Sequence, residues 1–182
     1  MLTTVIFLTA CVSGNDNNNV FDPEISPITS LDISSAAFEN KDSIPVEYTC
    51  DGINTSPPLR WSDVPAGTRS IAILLDEPES PVGIFRHWSV YNIPSGYRSL
   101  PAGQPNIVKL KDSTRQAFNT FDKVGYSGPC PPEKKDHEYV FFIYALSELL
   151  DLDDDATALD VSVALRGKVL GTGSFSGIYA RR

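Results

Sequence analysis

Thirteen residues, Asp76-Glu-Pro-Glu-Ser-Pro-Val-Gly-Ile-Phe-Arg-His87-Trp88, constrain this chain more than any other stretch. On one side lies the apolar run Ile71-Ala-Ile-Leu-Leu75, on the other the alternating run Ser89-Val-Tyr-Asn-Ile93. Both runs read as strands. Pro78 and Pro81 fix φ and remove amide donors, so the link between the runs can be neither helix nor ladder. The carboxylates Asp76, Glu77 and Glu79 therefore leave the end of one strand, and His87 opens the next. A loop held by strands at both ends is a common seat for binding groups. Carboxylates beside an imidazole favour its protonated form, and it favours their ionised form. Such a cluster can hold a phosphate, bind a metal or pass a proton. The competing reading is a solvated acidic turn, with His87 buried against a backbone carbonyl.

Other segments follow the same pattern of short strands between turns. Leu31 to Phe38 reads as a first strand, and Pro45 to Thr49 as a short strand at a sheet edge. Arg60-Trp-Ser62 is a short strand after the Asp-Gly and Pro-Pro breakers of residues 50–59. Residues 107–118 carry no clear period. Gly125-Tyr-Ser-Gly-Pro-Cys-Pro-Pro132 is a second dense turn, leading into the aromatic and β-branched run His137 to Ala145, the strongest strand signal in the chain. Asp151-Leu-Asp-Asp-Asp155 begins like a calcium loop, but Ala156 and Ser162 stand where glycine and glutamate are needed. A helix start fits better: Asp155 or Thr157 can cap it, Leu159, Val163, Leu165 and Leu170 form a partial apolar face, and Gly171 fits a stop. Gly173 to Tyr179 is a last strand. Many strands and one late helix indicate a mainly β sandwich.

The net charge of −8 argues against sequence-independent nucleic-acid binding and against a polybasic membrane patch. The first ten residues are apolar or hydroxylic and end at Cys11, and Leu8-Thr9-Ala10-Cys11 looks like a bacterial lipobox. On that reading residues 1–10 are a lipoprotein signal segment, Cys11 is lipidated, residues 11–30 are a disordered tether, and residues 31–182 are the folded domain. The expected location is the bacterial cell envelope, with the membrane contacted only through the anchor. The three cysteines show no Cys-x-x-Cys spacing, so no structural zinc site is expected.

Gly-x-Ser-x-Gly, Gly-x-Gly-x-x-Gly before a helix, Gly-x-x-x-x-Gly-Lys-Ser/Thr and His-Glu-x-x-His are all missing. What remains is a pair of loops, each leading to a histidine that opens a strand: one ends in His87-Trp88, the other in His137-Glu-Tyr139. Added to these are Ile44 through Gly52, Asn54-Thr-Ser-Pro-Pro-Leu-Arg-Trp61, Tyr91-Asn-Ile-Pro94, Ala145-Leu146 and the late Gly177-Ile-Tyr179. In these ordered motifs the chain resembles the phosphatidylethanolamine-binding proteins, and within them the bacterial Raf-kinase-inhibitor-like branch.

The resemblance implies a large central antiparallel sheet packed on a smaller sheet, with one or two short peripheral helices. It also implies a pocket for a small anion or phosphorylated head group, with no cofactor and no metal. Carried over, the pocket would use Glu77, Glu79, His87, Gly128, Pro131, His137 and Tyr139, with Asp76 beside them. The family's first loop typically reads Asp-Pro-Asp, where this chain has Glu77-Pro78-Glu79, each acid one methylene longer. Cys50 and Cys130 lie in the turns that flank the pocket in the resemblance, and in an exported protein a disulfide between them would stiffen its rim. Carboxylates do not attract phosphate, so they would position and charge a histidine or, partly protonated, donate hydrogen bonds, and binding would strengthen as pH falls. The leading expectation is a binding domain. The alternatives are a protein-level inhibitor of a kinase or protease, and an acid–base hydrolase using His87 or His137, which lacks a visible activated nucleophile. A homodimer or another protein partner is compatible with this reading.

Overall fold

The computed structural model describes residues 29–80, 83–132 and 135–181. The signal segment, Cys11 and nearly all of the tether lie outside the described residues. The strands are β1 (Thr29–Ser30), β2 (Ile33–Ser35), β3 (Leu59–Trp61), β4 (Ser70–Glu77), β5 (Phe85–Pro94), β6 (Ser99–Leu100), β7 (Arg115–Gln116), β8 (His137–Leu146) and β9 (Val169–Tyr179), with one helix, α1 (Ala158–Ala164). They form a six-stranded sheet in the order β1-β9-β8-β4-β5-β7 and a three-stranded sheet in the order β2-β3-β6. The architecture is the expected two-sheet sandwich. It is mixed rather than purely antiparallel, because β1 runs parallel to β9, pairing Thr29 with Gly171 and Ser30 with Thr172. Thr29 and Ser30, which the sequence reading placed in the tether, thus belong to the large sheet.

The large sheet is covered on both faces. One core lies between the sheets and joins Ile33, Leu59, Trp61 and Leu100 to Ile71, Ile73, Leu75, Trp88, Phe141 and Phe175. The other lies under α1 and joins Ala72, Leu74, Tyr91 and Leu146 to Leu150, Val161 and Leu165. Burial on both faces explains why β4 is apolar without alternation over its first six residues, Ser70 apart. Each large apolar side chain removed from water contributes roughly 1.5–3 kcal/mol, so these two layers are the main source of stability.

Three segments differ from the sequence reading. Pro45 to Thr49 is not a strand: Val46–Tyr48 is a 3-10 turn. Tyr48 N–H donates to the Pro45 carbonyl and Thr49 N–H to that of Val46, so these groups are satisfied locally. Of Leu31 to Phe38 only Ile33–Ser35 pairs as β2, because the Ser35 hydroxyl accepts from Ala37 N–H and turns the chain. The helix is shorter than expected and shows another face. Thr157 caps it in a capping box with Asp160, and Ala158, Val161 and Ser162 are its buried residues, while Leu159 and Val163 are exposed. Gly167, at φ 73°, follows the helix, and Leu170 and Gly171 belong instead to β9.

Candidate functional site

A β-bulge sets the site. Between β4 and β5, Leu75 pairs with Trp88 but Asp76 pairs with Arg86, leaving His87 as the extra residue. A bulge allows two successive side chains to share one side of a strand. Trp88 accordingly enters the inter-sheet core, while His87 turns to the same side and meets Glu77. The next step down the ladder pairs Glu77 with Phe85. On the other neighbour of β4, Leu75 lies opposite Phe141 and Asp76 opposite Val140, so Glu77 emerges on the face that carries Tyr139 and His137.

Glu77 bridges the two histidines. Its Oε2 lies 3.3 Å from His87 Nε2, and its Oε1 bonds His137 Nδ1. All three residues are buried. His87 Nδ1 lies 2.9 Å from the Ser127 carbonyl and 3.2 Å from that of Gly128. Carbonyls only accept, so the hydrogen bonds at Nδ1 are those of a ring that donates there. The hydrogen bond from His87 is the largest influence on Glu77 and holds its carboxyl below the usual carboxylate range; burial opposes it and the His137 hydrogen bond assists.

Two polar atoms at this site are left over. His137 Nε2 and Tyr139 Oη are buried and make no hydrogen bond of normal geometry with any described residue. They belong to alternate residues on one buried face of β8. Burial, followed by the Glu77 charge, pushes the Tyr139 phenol well above its usual range, and the neighbouring Cys130 amide offsets part of this. The His87 ring lies edge-on to Tyr139 at 5.2 Å and to Phe121 at 5.4 Å, and Phe85 stacks obliquely on His87 at 5.1 Å. A buried, unpaired donor and acceptor in an aromatic frame is a place where a polar ligand group gains hydrogen bonds that the fold leaves unmade.

The wall behind His87 is built by two loops. Asn119 Nδ2 donates to the Gly125 carbonyl and to Ser127 Oγ, while its Oδ1 accepts from Phe121 and Lys123 N–H. Gly128 N–H donates to Asn54 Oδ1 at 2.7 Å, and Cys50 N–H to the Pro129 carbonyl. A Cβ on Gly128 would lie 2.3 Å from the Tyr48 carbonyl oxygen, so only glycine permits this approach. Cys50 and Cys130 are joined by a disulfide across 80 residues of sequence, with Cα atoms 5.4 Å apart, which ties the two loops together.

Asp76 points elsewhere. It takes the guanidinium of Arg86 with two hydrogen bonds, 2.5 Å from Nε and 2.6 Å from Nη2. Arg86 Nη1 donates to the Ala158 carbonyl and to Ser162 Oγ, pinning α1 to the sheet. Asp76 therefore serves the helix face and not the histidine face. Glu79 is exposed in the turn after β4, and Pro131 is buried in the second loop.

A family model for the phosphatidylethanolamine-binding protein matches residues 34–180, which contain every residue of this site. The chain belongs to the phosphatidylethanolamine-binding protein family. It is 41% identical over 153 residues to a UPF0098 protein of Aquifex aeolicus, covering 83% of this chain and 89% of that one. Among solved structures, Escherichia coli YbcL, described as a new member of the mammalian family, superposes with a TM-score of 0.79 at 29% identity, over 85% of this chain and all of its own, 100%. A Chlamydia trachomatis homologue of the family superposes with a TM-score of 0.75 at 31% identity, over 85% of this chain and 99% of its own. Within this family's fold, the residues brought together here are Glu77, His87, Gly128, His137 and Tyr139. Reading the sequence alone missed Asn54, Phe85, Asn119, Phe121 and Ser127. Asn54 was visible as a turn residue and as part of a motif of the resemblance but with no role in the site, and Asn119 and Phe121 lie beside a stretch without hydrophobic period.

Proposed function

We propose that this domain binds a small anion or a phosphoryl-type group at His137 Nε2 and Tyr139 Oη. The observation that carries the reading is His137 Nε2, buried and without a hydrogen-bond partner among the described residues, two residues from the Tyr139 hydroxyl and beside a Glu77 already bonded to both histidines. With Glu77 accepting at His137 Nδ1, the opposite nitrogen can donate to an anion only when the ring takes up a proton. Tyr139 supplies a second donor. Binding then couples to uptake of one proton and strengthens as pH falls. Phosphoethanolamine and inorganic phosphate titrated by NMR at about pH 5.5 and pH 8 test this, expecting tighter binding at the lower pH. Equal affinity at the two values, or none at either, overturns the reading.

This reading favours binding over turnover at His87, while His137 Nε2 is the ring nitrogen that a hydrolytic alternative would use. Both nitrogens of His87 are engaged, so that ring is spoken for as a positioning group and leaves no free base against a nucleophile. Hydrolysis of p-nitrophenyl phosphate that disappears in His137→Ala would reverse this. Within the Raf-kinase-inhibitor-like reading, a protein partner contacting the rim is the alternative, and it predicts a complex that survives His137→Ala. The disulfide supports an oxidising compartment, in keeping with an exported domain tethered through Cys11. A lipid-sized mass increment on Cys11 in protein purified from host membranes is the expected result.

A further inference from the structure

We propose that the outer rim of the large sheet at residues 107–111 is a docking edge for another protein, taking an extended acidic segment that adds a strand beside Lys109. This edge and the anion-binding reading stand or fall separately.

The two edges of the large sheet are finished differently. Beyond β1 the outer side of β9 is closed by chain: Leu31 N–H donates to the Thr172 carbonyl, Lys41 N–H to that of Ser176, Ile44 N–H to that of Ile178, and Ile178 N–H to that of Asp42. At the other edge β7 is short, and residues 108–110 fold back along it. Gln116 N–H donates to the Val108 carbonyl and Leu110 N–H to that of Thr114, both at 2.8 Å, with Lys109 opposite Arg115 between them. In an antiparallel ladder a residue between two such bonds turns its own amide and carbonyl away from its partner. Lys109 N–H and C=O accordingly face outward, and they bond no described residue. An open edge of this kind is a template for a further strand.

Beside it lies a groove of about 370 Å³ lined by Pro105, Ile107, Leu110, Lys111 and Asp112. Ile107 is 49% exposed, and Tyr97, whose hydroxyl bonds Asp112, is 39% exposed. The groove is a seat for an apolar side chain of the added strand. Charge names the occupant. Lys109 and Lys111 are exposed, and neither forms an ion pair with a described residue. The acids nearby are already held, Asp112 by Thr114 N–H and Asp154 by Arg115. Two copies pairing edge to edge through Lys109 would bring like charges together, whereas an acidic strand sets carboxylates opposite the lysines. A partner segment that alternates apolar and acidic residues satisfies the backbone, the groove and the lysines at once.

A short peptide alternating glutamate and valine, and its lysine–valine counterpart, test this on the full chain by NMR. The acidic peptide is expected to shift the amides of Lys109 and Lys111 and to bind at least about tenfold more tightly than the basic one. Lys109→Pro removes the outward amide and no hairpin bond, and is expected to weaken binding of the acidic peptide by about tenfold or more. Lys109→Glu combined with Lys111→Glu keeps the edge and is expected to reverse the preference, and it decides the matter if Lys109→Pro does not fold. No shift at residues 107–111, equal binding of the two peptides, or a folded Lys109→Pro that binds as wild type does overturns the inference. So does self-association through the same amides that grows with protein concentration, which assigns the edge to a second copy. A shift of those amides by phosphatidylglycerol vesicles alone assigns it to a membrane and overturns the inference too.

Discussion

Asp76 and Glu77 are consecutive in β4, both buried, and each meets a side chain of β5, yet their surroundings close in different ways. Around Asp76 each nitrogen of the Arg86 guanidinium has an acceptor: two carboxylate oxygens, a helix carbonyl and a serine hydroxyl. Around Glu77 the carboxylate is satisfied, but the network stops short at His137 Nε2 and Tyr139 Oη. A closed network holds a helix on a sheet. An open one, at the same depth, is left incomplete by the fold and can be completed by a ligand. The pair also shows that a buried ionisable group is not by itself a functional one.

The largest expected effect tests the closed side. Asp76→Ala leaves the Arg86 charge buried without its partner and should cost about 3–5 kcal/mol in urea unfolding. A loss under about 1 kcal/mol would mean that the ion pair and α1 are not coupled to global stability. On the open side the largest lever is the wall. Replacing Cys50 and Cys130 by serine together should cost about 2–5 kcal/mol, since the bond closes a long loop, and should weaken phosphate binding through the loosened Ser127 and Gly128 carbonyls. Unchanged affinity in a folded double variant would show that those carbonyls are held by Asn54 and Asn119 alone.

A pH experiment sharpens the contrast. The folded-state pKa of Glu77 is depressed by its histidine hydrogen bonds, so the native state binds fewer protons there than the unfolded chain. Its contribution is complete above the ordinary glutamate value of about 4.3 and is lost as pH falls through that value towards the depressed one. Stability measured by urea unfolding between about pH 5 and pH 3 should therefore fall less steeply in Glu77→Gln than in wild type. Parallel slopes would remove the link between Glu77 ionisation and folding.

The smallest effect on stability is expected at the open end. Tyr139→Phe removes a buried hydroxyl that makes no hydrogen bond of normal geometry with any described residue, so stability should change by less than about 1 kcal/mol, and it can rise. Anion affinity should fall severalfold all the same. A marked loss of stability would show that the hydroxyl is satisfied in solution.

Much of this was legible in the residues. The apolar run Ile71 to Leu75 and the run His137 to Ala145 announce the two central strands. Pro78 and Pro81 announce the loop between β4 and β5, and Thr157 announces the helix start. The two histidine loops marked the site because they combine rare residue types with turn chemistry. The assignment of Asp76 to the histidine pocket did not survive, because adjacent residues of a strand face opposite ways and nothing local says which way each faces. Pro45 to Thr49 looked like an edge strand from its composition, yet it finds no strand partner among the described residues and turns on itself. Leu159 and Val163 suggested a buried helix face, but Arg86 grips Ser162 and turns that face outward.

Local chemistry determined by itself the long central strands, most of the turns, and which acids and imidazoles could meet. Those properties depend on side-chain period and backbone freedom over a few residues. The tertiary structure alone decided that Glu77 and not Asp76 joins the histidines, that His87 and Trp88 share one side of β5, and that His137 keeps a nitrogen without a partner among the described residues. Each of these depends on one bulge in the β4–β5 ladder and on loops brought to it from residues 50–54 and 119–130. A register is a relation between strands, so no single segment contains it.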